Sequence, residues 1–162
     1  MVKIKEGDNM QTFLPYENFR ESARVLDYRR LGKQRLETQT LLNLMIHPDN
    51  SGYRNHPAFK MWDGYDLALA FYGMEICQEW IDRGYKDTLW NFFSNYTDKP
   101  IIGCQLFPKW LGLEKFHSSH RSALLYKDFS YYSQFGWSEK PAIPIKVTKN
   151  SVTLPYYWPT NE

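Results

Sequence analysis

No proline falls between Pro15 and Pro48, and apolar residues recur through that stretch at helical spacing. This constrains the fold more than any other feature, because a long proline-free run with that period must bury one face of a helix. Leu31, Thr38, Leu42 and Met45 make that face. Arg29, Arg30 and Lys33 fall within one quadrant roughly opposite it, at about 100° per residue. Leu26 and Leu36 do not respect the two-face split, so a break near Asp27 is expected. Asn18 or Ser22 would cap a first helix, and Asp27 would cap or restart one.

A second long helix is expected from about Pro57 to Arg83, since proline suits a first turn and Gly84 a stop. Phe59, Trp62, Leu69, Tyr72, Ile76 and Trp80 supply its buried face. Gly64 and Gly73 either weaken it, by about 1 kcal/mol each against alanine, or let another helix pack closely. Residues 47–56 form a loop by composition. Residues 84–115 are punctuated by glycine and proline and hold short helical pieces at best. A third helix is expected from Ser119 to about Tyr132, capped by Ser118 or Ser119. The tail from Gly136 carries Pro141, Pro144, Pro155 and Pro159. It reads as extended segments with a hairpin around Lys149-Asn150-Ser151. The expected class is mainly α, a compact single domain of three principal helices with a proline-rich extended C-terminal segment. Residues 1–9 would be an N-terminal arm and residues 10–162 the domain.

Composition narrows the function classes. The 162 residues are enough for one domain with a real core. Trp, Tyr and Phe make up 17% of the chain, so most rings must be core, with some left as platforms for bases or sugars. No apolar run approaches the roughly 20 residues of a membrane span, and MVKIKEGDNM lacks an apolar signal core. Cys77 and Cys104 form no CxxC motif, which points to reduced thiols in the cytoplasm. Lys and Arg number 20 against 18 Asp and Glu, so any affinity for nucleic acid must come from a local patch. That patch lies between Arg20 and Glu37, where Arg20, Arg24, Arg29, Arg30, Lys33 and Arg35 face only Glu21, Asp27 and Glu37.

Three clusters could carry chemistry. The basic helix suits phosphates, because guanidinium forks match phosphate oxygens and counterion release drives association; the alternative is a solvated face with ion pairs. Arg54-Asn55-His56-Pro57 opens the second long helix, where donors could hold a phosphate or read a base edge, or simply cap the turn. His117, His120 and Arg121 share one helical face and offer proton transfer near neutral pH, phosphate contact or a hydrogen-bonded cap. No third ligand at a telling distance supports a metal. GxSxG, Walker, GxGxxG and HExxH patterns do not occur. Cys77 beside Ile76 reads as a buried thiol. The remaining nucleophiles are amines: Lys33, Lys127 or the α-amine.

MQTFLPYENFRESARVLDYRRLGKQRLE, GYRNHPAFKMWDGYDLAL and FHSSHRSALLYKD with YYSQFGW resemble a family of small bacterial and viral proteins over about residues 10–140. That family is grouped with the pyrimidine dimer DNA glycosylases of the phage endonuclease V type. YRRLGKQR resembles the Tyr-Arg-Glu-Leu helix of those enzymes, and Tyr131, Tyr132 and Trp137 resemble their aromatic C-terminal stretch. The resemblance implies a compact α-helical enzyme that attacks deoxyribose C1′ with its N-terminal α-amine. A glutamate on the first long helix assists, and the Schiff base permits strand cleavage. Arg29 and Lys33 match phosphate-binding arginines, and His56 a histidine at the start of the second long helix. Two positions depart. Arg30 stands where the glutamate should be, leaving Asp27 and Glu37 as replacement carboxylates. Nine residues precede Met10, and Gln11 is bulky for methionine removal.

The expected function is therefore that of a DNA glycosylase on damaged or modified pyrimidines, with an associated abasic-site lyase activity in question. Asp27, His56, His120 and Arg121 would be catalytic. Arg29, Arg30, Lys33, Arg54, Asn55, His117 and Lys127 would bind DNA. No metal or cofactor is expected. The partner would be duplex DNA, the protein a monomer away from membranes, in the cytoplasm or at the nucleoid, with a viral origin equally in keeping. The alternatives are a non-catalytic nucleic-acid-binding module, or a histidine-assisted enzyme on a nucleotide or phosphorylated small molecule.

Overall fold

The computed structural model describes residues 10–47, 52–98 and 106–141, together with Pro159. Seven α-helices and no strands occur among the described residues. In chain order they are α1 (Phe19–Val25), α2 (Tyr28–Ile46), α3 (Pro57–Trp62), α4 (Asp66–Asp82), α5 (Trp90–Thr97), α6 (Glu114–Lys127) and α7 (Phe129–Tyr132). Short 3-10 turns at Gly52–Asn55 and Ser133–Phe135 precede α3 and follow α7. Helix α4 is central and packs against α1, α2 and α5.

The break before Asp27 forms as the sequence suggests. Asn18 caps α1 by accepting the Glu21 N–H at 3.0 Å, and Asp27 caps α2 by accepting the Arg30 N–H at 3.3 Å. Between them Leu26 is extended and fully buried, so the break turns this off-pattern leucine into the core. Leu36 stays 57% exposed.

The other two expected helices are corrected. The span from Pro57 to Arg83 divides into α3 and α4 at Gly64, whose φ of +85° lies in the left-handed region open to glycine. The third helix begins at Glu114 rather than Ser119 and stops at Lys127. There Asp128 takes φ −153° and accepts the Tyr131 N–H at 3.2 Å, capping α7 instead of continuing α6. The arm at residues 1–9, Cys104, most of the proline-rich tail and the hairpin at 149–151 lie outside the described residues.

Among these helices runs a non-helical segment, residues 10–16. Met10, Gln11, Thr12, Phe13 and Leu14 are all buried. Buried backbone must find hydrogen-bond partners, and here side chains supply them. Glu37 accepts the Gln11 N–H at 3.0 Å, while Gln34 donates to the Gln11 carbonyl at 2.7 Å and accepts from the Phe13 N–H at 3.0 Å. The Tyr72 hydroxyl lies 2.9 Å from the Phe13 carbonyl. Trp62 donates to the Thr12 hydroxyl at 2.9 Å, and Ser22 Oγ serves both the N–H and the carbonyl of Tyr16.

Large rings fill the remaining space. Trp62, Tyr72, Phe93, Phe116 and Tyr132 are fully buried, each worth about 1.5–3 kcal/mol or more in apolar transfer. Trp62 meets Trp110 edge-on at 4.9 Å between centroids. Gly73 is the close-packing glycine: a Cβ there would stand 2.5 Å from the Phe93 ring. Gly73→Ala is therefore expected to overpack the α4–α5 contact and cost about 1–3 kcal/mol. A urea titration of the two proteins measures this, and an unchanged midpoint would refute it.

Candidate functional site

Positions 30, 33 and 37 share one face of α2. Arg30 is partly buried and held by Asp27, its Nη1 lying 3.1 Å from Oδ1. Lys33 reaches Glu37 Oε1 at 3.3 Å. The other carboxylate oxygen, Oε2, takes the Gln11 N–H and lies 3.3 Å from Gln34 Nε2. Burial raises the Glu37 pKa, and these donors together with Lys33 offset only part of the rise.

Lys127, in the last turn of α6, feels the charges of this face. It is exposed as a residue, yet its ammonium is partly desolvated and feels Arg30, Lys33 and Glu37. Desolvation and the two neighbouring cations lower its pKa, and Glu37 opposes them. Lys33 thus pairs with the half-buried Glu37 carboxylate, and Arg30, on the same face, pairs with Asp27. Aromatic surface lies alongside in sequence: Tyr28, Tyr126 and Phe129 are all exposed. Arg29, at the surface, sets its guanidinium carbon 5.7 Å from the Tyr28 ring centroid and donates to the Tyr28 hydroxyl at 3.0 Å.

Asp27 is not free to act alone. It is buried, accepts from the Tyr132 hydroxyl through Oδ1, and binds both the backbone and the guanidinium of Arg30. Burial pushes its carboxyl up, but Tyr132 and Arg30 outweigh that and hold it below the ordinary value. Its role in the structure is to fasten α7 to the start of α2 and to aim Arg30. Trp137 stacks on Tyr132 at 5.8 Å between centroids, so the aromatic C-terminal stretch closes over this joint.

The hydrogen bonds of His120 and Arg121 run to the buried segment at residues 14 and 15, and that of His56 to the start of α3. His120 is fully buried and accepts the Leu14 N–H on Nδ1 at 2.9 Å. His117 lies with Nδ1 2.8 Å from the Leu14 carbonyl and accepts the Gly112 N–H on Nε2 at 2.9 Å. These partners assign opposite neutral tautomers, His120 protonated on Nε2 and His117 on Nδ1. Arg121 donates to the Pro15 carbonyl at 2.7 Å and pairs with Glu139 and Glu114. Burial opposes its charge, but the two carboxylates hold its pKa above the ordinary value. The three residues hold the buried segment, and burial drops His120 to about 3, too low for proton transfer near neutrality. His56 caps α3 through the Ala58 N–H at 3.0 Å, Asn55 is exposed, and Arg54 lies 5.4 Å over the Phe59 ring. Cys77 is a buried thiol. No group of three metal-ligating side chains occurs among the described residues, and no described helix is long and apolar enough to cross a membrane.

Glu37 is a functional candidate that the sequence marks only as a replacement carboxylate. Its signal is the i,i+4 spacing from Lys33, but that pattern is common on solvated helices. That Lys127, some ninety residues away, feels this face has no local signal.

The chain belongs to the pyrimidine dimer DNA glycosylase family, whose model matches residues 10–90. The matched stretch begins at the buried segment and runs through α4, so it contains Asp27, Arg30, Lys33 and Glu37 but not Lys127. Neither a curated protein nor a solved structure matches the chain.

The histidine clamp predicts a pH dependence. Unfolding frees His120 and His117 from positions where burial lowers their pKa, so the unfolded state binds more protons below pH 6.5. Stability should then fall as pH drops from about 6.5 towards 5, by up to about 1.4 kcal/mol per pH unit for each histidine that protonates on unfolding. Glu37 works in the opposite sense, because its raised folded pKa favours the native state as pH falls. Glu37→Gln removes that opposition. Urea midpoints of this variant should drop over the window, with folded-state NMR showing a neutral His120 ring at pH 5. A flat profile would refute the clamp.

Proposed function

We propose that this protein releases damaged or modified pyrimidines from duplex DNA, using the Arg30–Lys33–Glu37–Lys127 cluster as its reactive centre. The observation that carries the proposal is the half-buried Glu37 carboxylate paired with Lys33 on the family-matched helix α2, on the face that also bears Arg30. Cleaving a glycosidic bond builds positive charge on the sugar and requires a proton acceptor for the attacking group. Glu37 suits both tasks: it offers a carboxylate close to the reacting sugar, with a pKa raised towards neutrality. Arg29, Arg30 and Lys33 supply phosphate contacts. Tyr28 and Phe129 are exposed rings available to stack on a base beside the gap left by an extruded nucleotide.

One observation favours a second reading, a DNA-binding module without catalysis. Arg30 stands where the family resemblance calls for a glutamate, and its guanidinium is engaged with Asp27. Base release separates the two. Wild-type protein on a duplex with a single pyrimidine dimer should break the dimer's 5′ glycosidic bond, read by chromatography after photoreversal frees the base. Glu37→Gln should slow release by roughly a hundredfold or more while DNA affinity is kept. Arg29→Ala should weaken binding and reduce the slope of log affinity against log salt by about one. Salt-sensitive binding with no release by the wild type, on dimer and modified-base duplexes alike, would establish the module instead.

A further inference from the structure

We infer that the α2–α4 face around Tyr28 and Tyr85 is a second binding site, a stacking platform for the unpaired bases of single-stranded DNA. It lies apart from the proposed reactive centre, because Gly32, at its middle, stands about 140° around α2 from Glu37. The choice of DNA as the polymer rests on the proposed function, while the geometry stands on separate contacts.

Helix α4 ends in a turn that fixes an aromatic ring. Gly84, at φ +91°, donates its N–H to the Ile81 carbonyl at 2.9 Å, and Tyr85 donates to the Trp80 carbonyl at 3.2 Å. This pair of bonds makes a Schellman turn, in which the residue after the glycine packs back on the last helical turn. Here that contact is a ring stack: Tyr85 lies on Trp80 at 4.2 Å between centroids, 26° from parallel. An aliphatic side chain at 85 would close the same turn, so a second ring is more than the turn requires. Trp80 is fixed in its own right. Its indole N–H donates to the Lys86 carbonyl at 3.1 Å, and the Arg35 guanidinium carbon lies 5.0 Å from its ring centroid. Gly32 makes room for its edge, since a Cβ there would stand 3.0 Å from the indole. Arg35 is held by Asp87 at 2.6 Å. Tyr85 is nonetheless 42% exposed. A ring placed beforehand in this way takes a second flat group at little cost in side-chain entropy.

Tyr28, Gly32 and Leu36 form an i,i+4 row on α2, and the Trp80 edge rests against the glycine between the other two. Tyr28 and Leu36 are both more than half exposed, so the off-pattern leucine belongs to this apolar face. Tyr28 thus stands one helical turn, about 6 Å along the axis, from the point where Trp80 meets α2. Exposed cations rim the face. Arg29 donates to the Tyr28 hydroxyl at 3.0 Å, and Lys86 follows Tyr85. Arg83 donates to the Arg24 carbonyl at 3.1 Å, which sets the end of α1 beside the α4 turn. Asp87 and Glu79 are paired with Arg35 and Arg83. The exposed carboxylates of Glu21 and Asp82 are then set against the exposed cations Arg24, Arg29 and Lys86, and Asp82 already accepts from Gln78 at 2.9 Å.

Open rings rimmed by cations fit a single strand. Every base has a flat face on which an aromatic ring can stack, and the phosphates between bases take the cations. In a paired duplex both faces of each base are covered by its neighbours, so a ring approaching from the side meets only backbone. An unpaired strand presents those faces, and the platform therefore takes single-stranded DNA in preference to duplex. An acidic protein segment would satisfy the cations but has no use for a fixed flat stack.

The test uses the full-length protein and a short fluorescein-labelled oligothymidine in which one base is 5-iodouracil. Anisotropy should show binding that weakens as salt rises. Irradiation should crosslink the iodouracil to Tyr28 or Tyr85, as mapped by peptide mass spectrometry; this is read on the wild type, so it stands whether or not a variant folds. Tyr85→Leu keeps the apolar contact of the turn and should weaken single-strand binding about fivefold or more, with affinity for an intact blunt duplex unchanged. Tyr85→Phe, which keeps the ring, should bind the single strand as the wild type does. A crosslink found only at other residues, such as Tyr126 or Phe129, overturns the platform. So does an equal loss of single-strand and duplex affinity in Tyr85→Leu, or binding of an acidic peptide with no binding of the oligonucleotide. Base release from the dimer duplex without single-strand binding leaves the glycosylase reading standing and removes only this inference. A single strand crosslinked at Tyr28 or Tyr85, without base release on any damaged duplex, does the reverse.

Discussion

A buried non-helical peptide among helices has no neighbouring strand among the described residues to satisfy its N–H and C=O groups. Residues 11–16 meet that difficulty through side chains from α1, α2, α4 and α6. Each of those bonds is worth only about 1 kcal/mol net, but a lost partner leaves a buried polar group at a cost of about 1–3 kcal/mol. The segment therefore dictates what its neighbours must be. Gln34 has to present both a donor and an acceptor. His117 and His120 have to be neutral and of opposite tautomer, because one serves a carbonyl and the other an N–H of the same residue, Leu14. A protonated ring at His120 could not accept that N–H, and this requirement is consistent with burial in an apolar pocket against Phe13 and Phe116.

The candidate site is built on the edge of this arrangement. Glu37 is turned inwards to receive the Gln11 N–H, and that same orientation desolvates its carboxyl and raises its pKa. Its other oxygen is left for Lys33. At the opposite end of the face, the Asp27–Tyr132 contact ties α7, and through it the end of α6, to the start of α2. Structural hydrogen bonding thus orients the proposed carboxylate at one end of the face and fastens α7 at the other.

Much of this is legible in the amino-acid sequence. The helix break at Asp27, its cap, the capping role of Asn18, the basic face and the buried thiol follow from spacing and residue type alone. Gly64 is visible there as a weak point, but whether it bends or ends a helix depends on φ, which composition does not reveal. The histidine pair shows the deeper limit. His117, His120 and Arg121 on one face look alike whether that face meets a substrate or a buried backbone, and the partner, residues 14 and 15, lies a hundred residues away. Lys127 is legible as a basic residue, but the charges it feels, from Arg30, Lys33 and Glu37, come from residues distant in sequence.

A proposed displacement of acidic function from position 30 to position 37 has a physical logic. A carboxylate at position 30 would sit over Asp27, whose charge is already fixed at the α2 cap and bound to Tyr132. Two carboxylates there would repel each other and raise one pKa at the cost of the cap. Arginine at 30 removes that conflict: it pairs with Asp27 and still presents positive charge to Lys127. Two helical turns further on, Glu37 meets donors: a backbone amide, a glutamine and a lysine. There a carboxylate can be desolvated without disturbing a helix start, while the Gln11 N–H of the buried segment offsets part of the rise in its pKa.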